Sequence, residues 1–383
     1  MSNPSRIGSI DFWRGGVLIA ILVDHIPGNV LESLTPRNFG LSDSAEAFVF
    51  LSGLSVGLVY LPRARKQGFE SVALSCLQRA LKLYGVHIGL TFAALAIFAA
   101  GYCLSGAEDL LEAHGRSLVF GSPASGVTGV ALLSHQLSYF NILPLYIVLM
   151  LWAPLALAVA LYDPRLALVS SACIYAGSRA FGLHLPSWPE PGGWFFNPFA
   201  WQFLFVVGAT AGHAYAGGLP ALPRWSWVWR AAIAVALACA VIKLSWIAHQ
   251  LDGNIPALFH EQLEEIAEDK SDLSVLRLLS FFALTLAIVH FIKRDSAFLR
   301  HPLAGLVIRC GQHSLQVFCL GILLSVSGRF VINAMSNRAL TQLAVDTVGI
   351  ALMIVLAQLL SWYKNKNRAI AAAAPVAQAS AVS

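Results

Sequence analysis

Residues 140–161 read FNILPLYIVLMLWAPLALAVAL, a run without a single charged side chain. About 20 such residues are enough for a helix to cross a bilayer. Apolar runs of this kind recur along the 383-residue chain, which is 57% hydrophobic and only 12% charged. A soluble domain usually carries about twice that share of charge. We therefore predict an all-α polytopic integral membrane bundle of about ten transmembrane helices.

The predicted spans are separated by short connections, and they cover residues 12–31, 45–62, 80–104, 140–161, 166–183, 200–217, 231–250, 273–292, 311–332 and 341–362. The Gly- and Ser-rich stretch 125–139 indicates a short re-entrant or interfacial helix, so the number of spans stays open by one or two. The end of the first run lacks a small-residue cleavage site, which favours a permanent span over a signal peptide. Residues 1–368 are expected to form one transmembrane domain, and residues 369–383 a flexible cytoplasmic tail.

The distribution of charge predicts the orientation of the chain. Most of its 25 Lys and Arg residues fall in connections that share one side with the N-terminus, and most acids fall on the other side. Because cytoplasmic loops collect basic residues, both termini are expected inside. The net charge of +5 is thus a topology signal and does not indicate a nucleic-acid partner. None of the six cysteines forms a CxxC pair, so no metal site is predicted.

The first span carries a group of polar residues that the bilayer disfavours. Asp11 and Arg14 share one helix face at the inner surface. His25 lies about 21 Å further along the helix axis, on the same side, and follows Asp24. An acid and a histidine at the end of a span are expensive unless they face a polar cavity, which favours a functional role. An anchoring ion pair and an interfacial histidine remain the alternatives.

The second span opens from the outside with Glu46, at about the depth of His25. A carboxylate beside an imidazole fixes its tautomer and raises its basicity, so Glu46 is a candidate partner of His25. The alternative is an acid stabilised by the positive end of the helix dipole. Gly53 and Gly57, one turn apart in the same span, predict a small-residue face for close helix packing.

Basic residues at the inner ends of two spans are candidates for binding a phosphate-bearing ligand. Arg79 and Lys82 share a helix face at the start of the third span, and Arg309 precedes the ninth. Charge-assisted hydrogen bonds suit such a ligand. Ordinary positive-inside charge, or a snorkelling anchor in the case of Arg309, is the alternative.

An aromatic-rich outer connection leads into the sixth span. It contains Trp194 and Asn197, with Gln202 following inside the span, and His135 precedes the fourth span on the same side. Aromatic rings suit the apolar faces of sugars, and the amides can donate to hydroxyls. We treat these four residues as candidate substrate contacts, while an aromatic belt at the membrane interface is the alternative.

The motifs in these spans resemble the membrane acyltransferase-3 superfamily. The resemblance rests on Asp11-x-x-Arg14, His25, the run EAFVFLSG at 46–53, and Arg79-x-x-Lys82. Four segments further resemble the OpgC branch, and they are DHIPGN at 24–29, LTPRNFG at 34–40, GWFFNPFAW at 193–201 and GQHSLQVF at 311–318. Lys82 departs from the family pattern, which has arginine there, so two-pronged phosphate binding is lost at that position.

This resemblance implies a bacterial inner-membrane enzyme that moves an acyl group from cytoplasmic acyl-CoA to hydroxyls of a periplasmic glucan. It implies His25 as the general base, oriented by Asp24 or Glu46, and Arg14, Arg79 and Lys82 facing the CoA phosphates. Acyl-CoA would be a co-substrate, with no tightly bound cofactor. Succinyl or acetyl transfer, an acyl-histidine intermediate and a homo-oligomer stay open. The alternative function is a transporter or flippase of a small acidic or lipid-linked solute, with the buried charges as coupling groups.

Overall fold

The computed structural model describes residues 7–26, 29–217, 225–292, 296–335 and 338–380. These residues form fifteen α-helices and no β-strand, apart from one isolated bridge between Pro186 and Gly193. The prediction of an all-α fold is therefore confirmed.

The helices follow one another in short succession. They are Gly8–Asp24 (α1), Ser44–Gln67 (α2), Phe69–Ser105 (α3), Asp109–Glu112 (α4), Arg116–Gly121 (α5), Pro123–Ala131 (α6), Ile142–Tyr162 (α7), Pro164–Phe181 (α8), Pro198–Ala216 (α9), Ser226–Leu251 (α10), His260–Glu268 (α11), Val275–Phe291 (α12), Pro302–Gln312 (α13), Ser314–Ala334 (α14) and Arg338–Ser380 (α15). Short 3-10 turns lie at Val30–Leu34, Pro36–Asn38 and Ala297–Arg300.

Six helices in the described part of the chain are long and apolar enough to cross a membrane, and they are α2, α3, α7, α10, α14 and α15. The chain is thus a polytopic membrane protein. Each of the other four predicted spans overlaps a helix, namely α1, α8, α9 and α12, although α1 ends at Asp24, before the predicted end of the first span. Two of these helices, α1 and α12, have only 17 residues each. A total of ten spans stays a prediction.

The chain divides into two compact units. Unit 1 comprises Met1–Leu31 with Ile292–Ser383, and unit 2 comprises Glu32–Phe291. Whether they act as one domain stays a prediction. The stretch expected to be a flexible tail continues α15 as helix up to Ser380, because alanine has the highest helix propensity of all residues.

Close helix packing in unit 1 depends on glycines. A Cβ atom built on Gly15 of α1 would collide with the carbonyl oxygen of Val307 on α13, and one on Gly311 would collide with that of Asp11. Only residues without a side chain allow two helix backbones to approach this closely. The contact fixes α1, which carries His25 at its end, against α13.

Unit 2 has a longer contact of the same kind between α2 and α9. A Cβ on Gly53 would collide with the carbonyl oxygen of Phe205, and one on Gly57 with that of Ala209. From the other helix, Gly208 and Gly212 meet backbone atoms of α2 in the same way. The predicted small-residue face at Gly53 and Gly57 is thus confirmed, and α9 is its partner.

Candidate functional site

His25 follows the last residue of α1 and is half-buried in unit 1. Its Nδ1 lies 2.5 Å from the carbonyl oxygen of Ile21, one turn earlier. A carbonyl oxygen only accepts hydrogen bonds, so Nδ1 carries the hydrogen and Nε2 is the basic nitrogen. The Arg329 guanidinium on α14 donates to the backbone oxygen of His25 at 2.9 Å. The imidazole therefore has a defined tautomer, and its backbone is held by a second helix.

The chain just after His25 is held by a buried amide that the sequence analysis did not identify. Asn29 Nδ2 donates to the Asp346 carboxylate of α15 at 2.8 Å and to the carbonyl oxygen of Val23 at 3.2 Å. Asn29 Oδ1 accepts from the backbone N–H of Leu31 at 3.0 Å. Asp346 is fully buried. It is the only charged residue of the apolar run 341–362, and that isolation was the available signal.

Asp24, the other candidate beside the histidine, is the last residue of α1 and is half-buried. It belongs to unit 1, as His25 does. Its role in orienting the imidazole stays a prediction.

Glu46 lies in the first turn of α2 in unit 2 and is fully buried. Its Oε1 accepts from Arg277 Nε at 2.6 Å, and its Oε2 accepts from the backbone N–H of Asp43 at 2.8 Å. The Asp43 side chain in turn accepts from the backbone N–H of Ala45, and Asp43 and Glu46 together form a capping box. Glu46 thus has one oxygen at the start of its own helix and the other on Arg277 of α12. Its role as a partner of His25 stays a prediction.

Asp43 connects this helix start to two cations. Its Oδ2 accepts from Lys270 Nζ at 2.5 Å and from Arg277 Nη2 at 3.1 Å. Burial raises the pKa of this carboxyl group, but Lys270 and Arg277 outweigh burial and hold the pKa well below its usual value. Asp43 is therefore ionised at neutral pH, and two acids face two cations. Arg277 was missed as a partner because it is 231 positions away from Glu46.

The four candidate phosphate contacts are divided between the units. In unit 1, Arg14 pairs with Asp11 at 3.0 Å, and Arg309 donates to Gln358 at 3.3 Å. The other two candidates belong to α3 of unit 2.

On α3, the Arg79 guanidinium lies 6.0 Å from the ring centroid of Tyr146, and Lys82 is exposed. Neither forms an ion pair with any residue that the structure describes. These two cations therefore have charge that no nearby acid neutralises.

The outer candidates Asn197 and Gln202 are buried and fully occupied inside unit 2. Asn197 donates to Leu183 at 2.8 Å and to Asp272 at 2.7 Å, while its own oxygen caps α9 at Phe199. Gln202 exchanges hydrogen bonds with Ser171, at 2.6 and 2.9 Å. Neither amide has a donor left for a sugar hydroxyl in this structure, because Asn197 uses both N–H groups on Leu183 and Asp272, and Gln202 uses its second N–H on the Phe199 carbonyl at 3.1 Å.

The other two outer candidates are buried as well. Trp194 is 7% exposed, and His135 is 6% exposed with its Nε2 donating to the Gly115 carbonyl at 2.7 Å. By contrast, Trp188 is 45% exposed and Phe195 is 47% exposed in the same outer connection. The solvent-accessible aromatic surface of this connection is therefore formed by Trp188 and Phe195, and the predicted contact Trp194 lies beneath it. The described residues contain no group of three or more His, Cys, Asp or Glu side chains that could hold a metal ion.

Comparison with known proteins gives one match. The family model described as OpgC protein matches residues 6–365, which is nearly the whole chain. No curated protein and no solved structure matches. The family match covers both units, including His25 with its tethers and the buried cluster around Glu46. The chain therefore belongs to the OpgC protein family.

Proposed function

We propose that this protein is a membrane O-acyltransferase that transfers a succinyl group from cytoplasmic succinyl-CoA to hydroxyls of a periplasmic glucan. The observation that carries the proposal is the OpgC family match over residues 6–365. The proposed arrangement has ten spans with both termini inside, in a bacterial inner membrane. Donor and acceptor then lie on opposite sides of the bilayer.

In this proposal, His25 is the general base. The hydrogen bond from its Nδ1 to Ile21 supports this role, because it leaves Nε2 with the lone pair. Nε2 takes the proton of a glucan hydroxyl, whose oxygen attacks the thioester carbonyl carbon and forms the ester. The carbon–sulfur bond breaks, and the CoA thiolate takes the proton from the imidazolium. General-base catalysis of this kind contributes about 10²–10⁴-fold in rate.

The donor is held by cations in the proposal. Arg79 and Lys82 are the first candidates for the CoA phosphates, since no described acid neutralises them. Arg14 and Arg309 are weaker candidates, because each already donates to a side chain of unit 1. Charge-assisted bonds to phosphate oxygens are shorter and stronger than neutral ones.

The acceptor contact is proposed at Trp188 and Phe195. Both rings are about half exposed in the outer connection, whereas Trp194 packs beneath the surface. An exposed ring offers an apolar face to a sugar while its edge stays in water.

The decisive experiment replaces His25 with alanine and measures succinyl groups on periplasmic glucans from cells that make the variant at normal levels. We expect these substituents to disappear while the amount of glucan is unchanged. The matched control is His249→Ala. His249 also donates through Nδ1 to a nearby carbonyl oxygen, that of Ile255 at 2.7 Å, but it lies at the end of α10 in unit 2.

A normal level of succinyl groups on the glucans of the His25→Ala strain would contradict the general-base role. A normal level of succinyl groups on the glucans of a strain that lacks the whole protein would contradict the proposed acceptor.

A further inference from the structure

We propose that Asp346, acting through Asn29, positions His25 for proton transfer. This inference rests on the proposed function. Asp346 and Asn29 are positioning residues, since neither is argued to touch a substrate. The acceptor oxygen of Asp346 holds the side-chain amide of Asn29. That amide in turn binds the backbone on both sides of His25.

Asn29 links two points of the backbone that flank the histidine. Its Nδ2 donates to the Val23 carbonyl, two residues before His25, and its Oδ1 accepts from the Leu31 N–H, six residues after it. The second hydrogen of Nδ2 goes to Asp346 at 2.8 Å. The amide therefore ties the end of α1 to α15, although Asn29 and Asp346 lie 317 positions apart.

Asp346 is an expensive residue at this position. It is fully buried in an apolar helix, and its Oδ2 has no hydrogen-bond partner among the described residues. Burying a polar atom without a partner costs roughly 1–3 kcal/mol. An aliphatic side chain would pack in α15 without that cost. An ionisable residue inside a membrane helix is therefore best explained by a function, and its partner here is Asn29.

Apolar packing contributes to fixing this end of α1, since Leu22, Val23 and Ile26 are each at most 4% exposed. A cavity of about 480 Å³ lies among α1, α14 and α15, and Leu22, Gly328, Val345 and Gly349 contribute to its lining. Leu22 is only one turn before His25. Polar tethers add hydrogen bonds to this packing at the backbone beside His25. Asn29 with Asp346 is one tether, and Arg329 on the His25 carbonyl is another.

The test uses variants that change hydrogen bonding but not side-chain size. Asp346→Asn keeps an acceptor oxygen for Asn29. Asn29→Asp removes the donor and leaves two carboxyl groups facing each other. The double variant Asn29→Asp/Asp346→Asn restores one donor and one acceptor with their roles exchanged. The control is Thr347→Ala, which removes a hydroxyl that only bonds its own helix at Leu343.

Each full-length variant is purified in lipid nanodiscs and assayed with succinyl-CoA and purified periplasmic glucan. We expect Asn29→Asp to lower kcat about 10²-fold with KM for succinyl-CoA unchanged, since a misplacement of about 1 Å has that effect. Asp346→Asn and Thr347→Ala should keep kcat near that of the parent. The double variant should recover part of the loss, because it restores the bond between positions 29 and 346 but not the bond to the Val23 carbonyl.

The proposal is overturned if Asn29→Asp keeps the parent kcat, if it raises KM without changing kcat, or if the double variant is no more active than Asn29→Asp. His25→Ala in the same assay separates the two proposals. An inactive His25→Ala beside a fully active Asn29→Asp rejects the positioning role alone, whereas a fully active His25→Ala rejects the proposed role of His25 itself.

Discussion

Two buried polar clusters, one in each unit, differ in how completely their hydrogen bonds are satisfied. In unit 2, all four carboxylate oxygens of Asp43 and Glu46 accept hydrogen bonds from Lys270, Arg277 or backbone N–H groups. In unit 1, Asp346 binds Asn29 through one oxygen, and its other oxygen has no partner in the described residues. A saturated cluster makes a helix start rigid, while an unsaturated one lowers stability and is retained for function.

This difference bears on the choice between Glu46 of unit 2 and Asp346 of unit 1 as the acid that supports His25. The sequence predicted Glu46 as the partner of His25 because the two residues are expected at a similar depth in the membrane. Its hydrogen-bonding capacity is used within the capping box and by Arg277. Asp346 was overlooked, yet its partner Asn29 holds the chain beside His25. The comparison predicts that mutations in the unit 1 cluster change the rate and that mutations in the unit 2 cluster around Asp43 and Glu46 change the stability.

The largest effect is expected for His25→Ala in purified protein. We predict that kcat falls about 10²–10⁴-fold because the general base is lost, while the melting temperature measured in detergent is unchanged. His249→Ala should leave both quantities unaltered. A large loss of melting temperature in His25→Ala would break the comparison, since it would make unit 1 structural too.

For Arg277→Leu we expect the opposite result, a loss of stability. It leaves Asp43 and Glu46 buried with their main cation removed, and breaking a buried ion pair in this way costs roughly 3–5 kcal/mol of stability. We expect a lower melting temperature and less protein in the membrane. Arg230→Leu, at an exposed arginine of α10 that donates only to Ser226, is the control and should change stability little. A variant of Arg277 that is stable but inactive would contradict a structural role for this cluster.

Gly53→Ala tests the contact that carries the unit 2 cluster. The added methyl group would collide with the carbonyl oxygen of Phe205, so α2 and α9 must separate. Overpacking of this kind costs about 1–3 kcal/mol, which thermal unfolding can detect. Gly89→Ala on α3 adds the same group where no atom lies within 4 Å, and it should be neutral or slightly stabilising. Equal melting temperatures for the two variants would argue against a tight contact.

The smallest effect is expected for Trp188→Ala. Loss of one exposed stacking ring is worth on the order of 1 kcal/mol, which corresponds to a rise of about fivefold in KM for glucan. The value for succinyl-CoA should not change. Trp227→Ala removes a similarly exposed ring at the start of α10 and is the control. An unchanged KM for glucan in Trp188→Ala would move the acceptor contact elsewhere.

The helices could be predicted from the sequence because hydrophobic run length is a local property. Each of the ten predicted spans overlaps a helix, and the small-residue face at Gly53 and Gly57 packs closely as expected. The site was harder to predict because partners of buried charges are remote. Arg277 and Asp346 are each the only charged residue in an apolar run, 273–292 and 341–362, but no local pattern indicates that they bind Glu46 and Asn29.

Polar residues at helix ends were ambiguous for a different reason. An amide that can donate to a sugar can equally cap a helix, and both possibilities produce the same residue types in the same loop. Asn197 caps α9 and Gln202 binds Ser171. Only their surroundings decide between these roles, so the sequence could not.

The four glycines between α2 and α9 also have a mechanical consequence. Each helix presents bare backbone to the carbonyl groups of the other, at Gly53 and Gly57 on one side and Gly208 and Gly212 on the other. Neither helix can slide or rotate past its partner without the backbones colliding, so we expect the two helices to move as one rigid body. Any opening of unit 2 during a catalytic cycle must therefore occur at other helix boundaries, and spin labels on α2 and α9 should keep a constant separation throughout.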